Sequence, residues 1–322
     1  MRIVYSILLT ALTWSFAATT AVAQIPVKTE TEKESSDSDD LMAMLDEGAV
    51  KKKRYTTSTF KTTRLVNGHS IENTSKGVLD FRVSHRFGQI NGGASTFFGL
   101  DNANTRIGFD YGVTDWLTVG FGRNTYHKEY DGFVKVKLLR QVDGKGMPVS
   151  LSYVGATSIQ SLPKPTLPAG QEYHFSNRMY FANQILVARK LSKSISVQLM
   201  PTHIHYNLVP TKADPNDVVA IGGGGRLKVS NRIALNVEYY YTIPSLQLSG
   251  MRNSLGVGID IETGGHVFQL MFSNAIAMTE RAFIGQAIND WGNGGIHFGF
   301  NISRVFTIVR PKGFEDSRNK IW

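Results

Sequence analysis

Charged side chains recur at every second position along much of this chain, and that spacing is where chemistry would have to sit. Asp80, Arg82 and Arg86 share one parity, as do Arg106 with Asp110, Lys135 with Lys137, and Asp260 with Glu262; Arg226 and Glu238 stand singly in similar runs. Residues two apart fall on one face of a strand, so these side chains would line a common wall. Cations and carboxylates on one wall either close into ion pairs or form a polar conduit, whose excess of Arg and Lys favours anions. Catalytic patterns are weaker. Ser84 and His85 are adjacent, so in a strand they point to opposite faces and cannot form a nucleophile–base pair. His297 and Ser303 could share a face but lie about 20 Å apart along a strand. His203 and His205, at i and i+2, form a possible metal pair without an evident carboxylate ligand, so no metal site is assigned. Gly222-Gly223-Gly224-Gly225-Arg226 lacks the Lys-Ser/Thr of a phosphate loop. No catalytic residue, metal or cofactor is assigned, and nothing indicates a nucleic-acid partner.

The elements that position these residues are strands. Between Ile233 and Ile243 every odd residue is apolar, while Asn236 and Glu238 occupy even positions. Comparable alternation is predicted near 77–87, 105–113, 116–126, 132–140, 147–158, 177–190, 194–206, 217–228, 231–243, 252–262, 265–274 and 295–307. Short connectors alternate with long ones, as in a barrel with tight periplasmic turns and longer outer loops. The fold expected is therefore all-β, an antiparallel transmembrane barrel of about twelve strands, with 10–14 possible. Aromatic residues near strand ends (Phe87, Trp116, Tyr126, Tyr153, Tyr239, Tyr241, Phe306) fit interface girdles. Inward glycines would either admit aromatic side chains over bare backbone or leave room for a plug or ligand.

Export is written at the start of the chain. Arg2 precedes an apolar stretch from Ile3 to Phe16, and Ala21-Val22-Ala23 offers a signal-peptide cleavage site before Gln24. The chain has no cysteine, which excludes a disulfide framework. No stretch is continuously apolar for the ~18 residues a helical span needs. Charged residues are only 19% of the chain and the net charge is +9. Residues 24–50 carry two lysines against eight carboxylates, −6, and Lys51-Lys52-Lys53-Arg54 follows. A charge-segregated stretch like this lacks the apolar content to fold alone. Within it, residues 40–47 could form a short helix with Leu41, Met44 and Leu45 on one side, a possible dock for a periplasmic protein. The expected organisation is a signal peptide (1–23), a tail (24–54), a pre-barrel segment or plug (55–75), the barrel (76–307) and a C-terminal tail (308–322).

Several blocks also carry a family resemblance: Lys76-Gly77-Val78-Leu79-Asp80-Phe81-Arg82-Val83-Ser84-His85-Arg86-Phe87-Gly88, Phe97-Phe98-Gly99-Leu100-Asp101, Asp214-Pro215-Asn216-Asp217, Glu262-Thr263-Gly264-Gly265-His266-Val267-Phe268-Gln269-Leu270, Met278-Thr279-Glu280-Arg281-Ala282-Phe283 and Phe298-Gly299-Phe300-Asn301-Ile302-Ser303-Arg304. Together they resemble the domain of unknown function 5777 family, β-barrel proteins of Bacteroidota-type bacteria. The resemblance implies fold and an outer-membrane location, and brings no activity. Asp80, Arg82, His85, Arg86, Glu262, His266, Glu280 and Arg281 fall in these blocks and are the motif candidates. Two function classes follow: a passive channel for small polar or anionic solutes, or a non-conducting barrel that scaffolds a periplasmic or surface complex. In either case outer-membrane lipid is the surrounding partner.

Overall fold

Twelve segments alternate, and each becomes a strand that turns mostly apolar residues outward, while its inward residues are small or polar except where apolar ones such as Leu186, Met200 and Ile204 build an inner core. In a computed structural model describing residues 54–164, 166 and 172–310, these strands close into one antiparallel barrel. They are β1 (Val78–Gln89), β2 (Ala103–Gly112), β3 (Leu117–Asn124), β4 (Glu129–Leu139), β5 (Ser150–Gln160), β6 (Met179–Lys190), β7 (Ile195–Tyr206), β8 (Asp217–Lys228), β9 (Ile233–Thr242), β10 (Ser254–Thr263), β11 (His266–Ser273) and β12 (His297–Thr307). Each pairs with its sequence neighbours, and β1 pairs with β12 to remove both edges. Closure satisfies every strand's backbone groups inside the protein, which a lipid environment demands.

Register follows the polarity pattern because a one-residue slip would turn each charged row toward lipid. In β9, Ile233, Leu235, Val237, Tyr239 and Tyr241 are exposed while Ala234, Asn236, Glu238, Tyr240 and Thr242 are buried. The links after β2, β6, β8 and β10 are short; those after β1, β5, β7, β9 and β11 are long. The chain enters β1 and leaves β12 at the end with the short links. That end is periplasmic in an outer-membrane barrel. The sequence places twelve strands correctly, with most boundaries within two or three residues. The signal peptide, the 40–47 helix and residues 311–322 lie outside the described residues.

The inside of the barrel is occupied. Residues 54–75 enter from the periplasmic end and fold back in a tight turn, with Leu65 N–H donating to Gly68 O (2.8 Å) and Arg64 bridging His69. From the other end, the β11–β12 loop dips inward and forms the short helix α1 (Glu280–Gly285), every residue of which is buried. Phe60, Leu65 and Ile71 of the inner segment and Phe283 and Ile284 of α1 share an apolar core with β5–β9.

Candidate functional site

Eleven charged strand residues are buried on the inner wall. The cations are Arg82, Arg86, Arg106, Lys135 and Arg226; the carboxylates are Asp80, Asp110, Glu129, Asp131, Glu238 and Asp260. Five against six leaves no cationic excess, so the anion preference expected from the sequence has no basis in the wall itself. Two acids change that balance. Glu129 and Asp131 lie inside β4, whereas the sequence pattern predicts a strand only from 132 and a loop before it. The alternation of Glu129, Asp131, Phe133 and Lys135 is the signal that marks them.

Most of these charges are paired across the wall or to the inner segment. Arg106 grips Asp131 through Nε (2.9 Å) and Nη2 (2.5 Å). Arg82 pairs with Asp80 at 2.6 Å and lies 3.8 Å from Asp110. Its Nη2 also donates to Thr63 Oγ1 at 2.5 Å. Arg86 Nη2 and Nε donate to Asn67 Oδ1 at 2.8 and 3.2 Å, and its Nη1 reaches Asn301 Oδ1 at 3.0 Å. Arg226 Nη1 donates to the carbonyls of Ser58 and Thr59, both at 2.9 Å. Lys135 donates to the Glu72 carbonyl. Buried ions are tolerated only with such partners.

Glu238 binds the turn of the inner segment. Its two oxygens accept the backbone N–H groups of Val66 (3.2 Å), Asn67 (2.7 Å) and Gly68 (3.0 Å). Three successive donors on one carboxylate make a charge-assisted clasp, stronger than neutral hydrogen bonds. Gln269 Nε2 donates to Leu65 O (3.1 Å) and Gln198 Nε2 to His69 O (2.7 Å). The inward glycines serve both purposes the sequence left open. Phe133 and Tyr240 lie over Gly120 and Gly222, where a Cβ would collide with their rings. Leu65 and Val66 of the inner segment press into the space beside Gly224 and Gly256.

Glu280 and Arg281 join the two intruding pieces to the wall. Arg64 Nη1 meets Glu280 Oε1 at 2.5 Å, and His69 Nε2 lies 3.3 Å from the same oxygen without hydrogen-bond alignment. Burial works to raise the Glu280 carboxyl, but Arg64, and after it His69, outweigh this and hold it below the usual carboxylate range. Burial, with Arg64 second, lowers His69 from 6.5 to about 3, so its imidazole is neutral. Arg281 pairs with Glu129, stacks over Tyr180 (4.1 Å), and its carbonyl accepts the Tyr206 hydroxyl at 2.5 Å. Thr279 Oγ1 also donates to Glu129, at 2.9 Å. What space remains among Arg64, Val66, Asn67, Arg82, Arg86 and Arg106 is about 10 Å³, about one water.

Other sequence candidates lie elsewhere. Glu262 is not in the lumen; it stands half-exposed at the periplasmic mouth, paired with Lys61. Lys137 is only partly buried at the same mouth. His85 faces outward, with Nε2 2.9 Å from Thr105 Oγ1 and its ring stacked on Phe300 (5.0 Å). His266 also faces outward beside Phe268. His203 Nε2 and His205 Nδ1 both turn to Asp217 Oδ1, at 2.9 and 2.8 Å, on the outer wall. His297 and Ser303 are both inward, but the histidine's nitrogens meet Phe87 O and Asn289 Nδ2, each at 2.7 Å. Among the described residues no serine hydroxyl bonds a histidine ring.

A closed, edge-free barrel with an apolar exterior and a polar wall is a membrane-spanning β-barrel of the outer-membrane type. The chain belongs to the domain of unknown function 5777 family, described as a membrane bound beta barrel domain, which matches residues 60–306. No curated protein matches the sequence. Among solved structures it is similar to the NanC porin, at 10% identity and a TM-score of 0.44, covering 72% of this chain and 100% of that one. It is similar to the COG4313 outer membrane channel from Pseudomonas putida F1 at 13% identity and a TM-score of 0.43, over 74% and 98% of the two chains. Outer membrane phospholipase A from Escherichia coli follows at 9% identity and a TM-score of 0.40, over 72% and 91%. Likeness at that level transfers no activity.

Proposed function

We propose that the protein is an outer-membrane conduit for small polar solutes that is closed as folded, its gate being the inner segment 55–75. The observation that carries this reading is the Glu238 clasp. It holds a separable stretch of chain in the lumen by backbone hydrogen bonds, on a wall that is otherwise lined with charges. Displacing the segment would uncover Arg86, Lys135, Arg226 and Glu238 together. With near-balanced charge, the opened wall would pass small polar solutes with little ion selectivity.

A second reading, a non-conducting barrel that serves as a scaffold, draws on a different observation. Leu65, Ile71 and Phe283 pack with Tyr240 and Met200 as an ordinary core, and such packing suits a permanent filling. Planar-bilayer recordings on the mature protein and on a version lacking residues 24–75 separate the two. Silence from the first and steady steps from the second support the gated conduit. Silence from both, with folding verified by heat-dependent gel mobility, overturns it in favour of the scaffold.

A further inference from the structure

At the periplasmic rim a groove of about 530 Å³ runs between the β2–β3 turn and the β4–β5 loop. Its wall is built by an irregularity in β4. The ladder to β5 shifts between Lys137 and Leu139, so that Leu138 and Leu139 are both exposed (55% and 38%) instead of alternating. A bulge re-aims side chains in this way. Trp116 (53% exposed) and Met147 (37%) extend the apolar surface. Lys137 and Arg140 line the same groove, and neither forms an ion pair with a carboxylate among the described residues. Arg140 lies over the Tyr55 ring at 4.4 Å. Asp115 also lines the groove, with Oδ1 accepting the Lys76 N–H at 3.3 Å.

This is a surface with two chemistries at one depth. Apolar side chains continue the lipid-facing band, as Val134 does higher on β4, and two cations stand at its edge with Asp115 as the one carboxylate lining the groove. We propose that the groove binds an anionic phospholipid of the periplasmic leaflet, its acyl chains against Leu138, Leu139 and Trp116 and its phosphate between Arg140 and Lys137. Basic pockets at a membrane surface recognise anionic headgroups by this combination. The lipid is assigned because the apolar wall of the groove is continuous with the lipid-facing band of β4; the acidic stretch 24–50 of the same chain is the competing occupant.

The test uses the whole mature protein, released from vesicles holding phosphatidylglycerol and phosphatidylcholine in equal amounts, with retained lipid counted by native mass spectrometry. Phosphatidylglycerol is expected to be enriched about thirtyfold, the order two cations provide near an anionic surface, and the enrichment is expected to vanish in a Lys137→Gln/Arg140→Gln variant. Equal retention of the two lipids overturns the proposal, as does enrichment that the double substitution leaves intact. Loss of the retained lipid on adding inorganic phosphate alone assigns the site to free phosphate and also overturns it. Enrichment that appears only after removal of residues 24–50 gives the groove to the tail and likewise refutes the lipid assignment. Should the double variant fail to fold, phosphatidylglycerol with a photoreactive acyl chain is applied to the unaltered protein. Cross-links at Leu138, Leu139 or Trp116 support the site, and cross-links confined elsewhere refute it.

Discussion

The two sides of the barrel interior hold their contents by different physics. Strands β1–β4 supply eight of the eleven buried wall charges, from Asp80 to Lys135, and bind the inner segment and α1 through ion pairs and hydrogen bonds. Strands β5–β7 supply none. Their inward residues, such as Leu186, Met200 and Ile204, pack with the apolar side chains of the same two pieces. The charged side gives direction and register, because each hydrogen bond has one geometry. The apolar side gives contact area without register. A segment held on one side by a few strong, pH-sensitive bonds and on the other by packing can be released by attacking the first alone.

That contrast can be broken at several points. The largest effect is expected for Glu129→Ala, which leaves Arg281 buried without its carboxylate; about 3–5 kcal/mol should be lost from the urea unfolding free energy in detergent. A smaller loss would show that water reaches Arg281. On the apolar side, Leu65→Ala should cost about 2–3 kcal/mol, near the low end of the usual range because Gly224 opposite leaves room to settle. That loss should be the same at pH 5 and pH 7. Leu65→Met keeps the volume and should cost less than about 1.5 kcal/mol in the same assay.

Acid should act on the charged side only. Folding depresses the His69 pKa from 6.5 to about 3, so a released inner segment takes up a proton before a docked one does. Docking is therefore strongest above pH 6.5 and weakens as pH falls from there toward about 3. Glu280, also depressed, adds to the loss at the acid end, since its contribution is present above its ordinary pKa and disappears as the pH falls through the lowered one. Protection factors at Val66, Asn67 and Gly68, which correct for the intrinsic pH dependence of exchange, should fall across that window in the unaltered protein and fall less in His69→Phe, where only Glu280 still responds. Equal acid response in both would remove His69 from the account.

Strand number, order and the inward parity of Asp80, Arg82, Arg86, Arg106 and Asp110 were legible because a period of two is visible wherever one face meets lipid. The start of β4 carried a weaker signal, the alternation of Glu129, Asp131, Phe133 and Lys135, and two carboxylates after His127 and Lys128 look like loop residues unless that alternation is followed back. The inner segment was harder still. Residues 55–75 alternate weakly, and their burial depends on contacts some 170 residues away, such as Glu238 with Asn67. The odd parity of His85 and the lipid-facing neighbours of His266 set both outside, although both fall within the family blocks. Glu262 has inward parity but sits at the strand's last turn, where the wall ends.

If the inner segment closes the lumen, locking it in place should hold the barrel shut, and the absence of cysteine allows such a lock to be built. Val66 Cβ lies 3.3 Å from where a Cβ would stand at Gly256, close enough for a disulfide in Val66→Cys/Gly256→Cys. The decisive measurement is conductance of this variant in planar bilayers held at pH 5, oxidised and then reduced. Silence is expected while the bond is closed, and channel steps are expected once it is reduced. Identical conductance before and after reduction, with the bond confirmed by mass, would contradict closure by the inner segment.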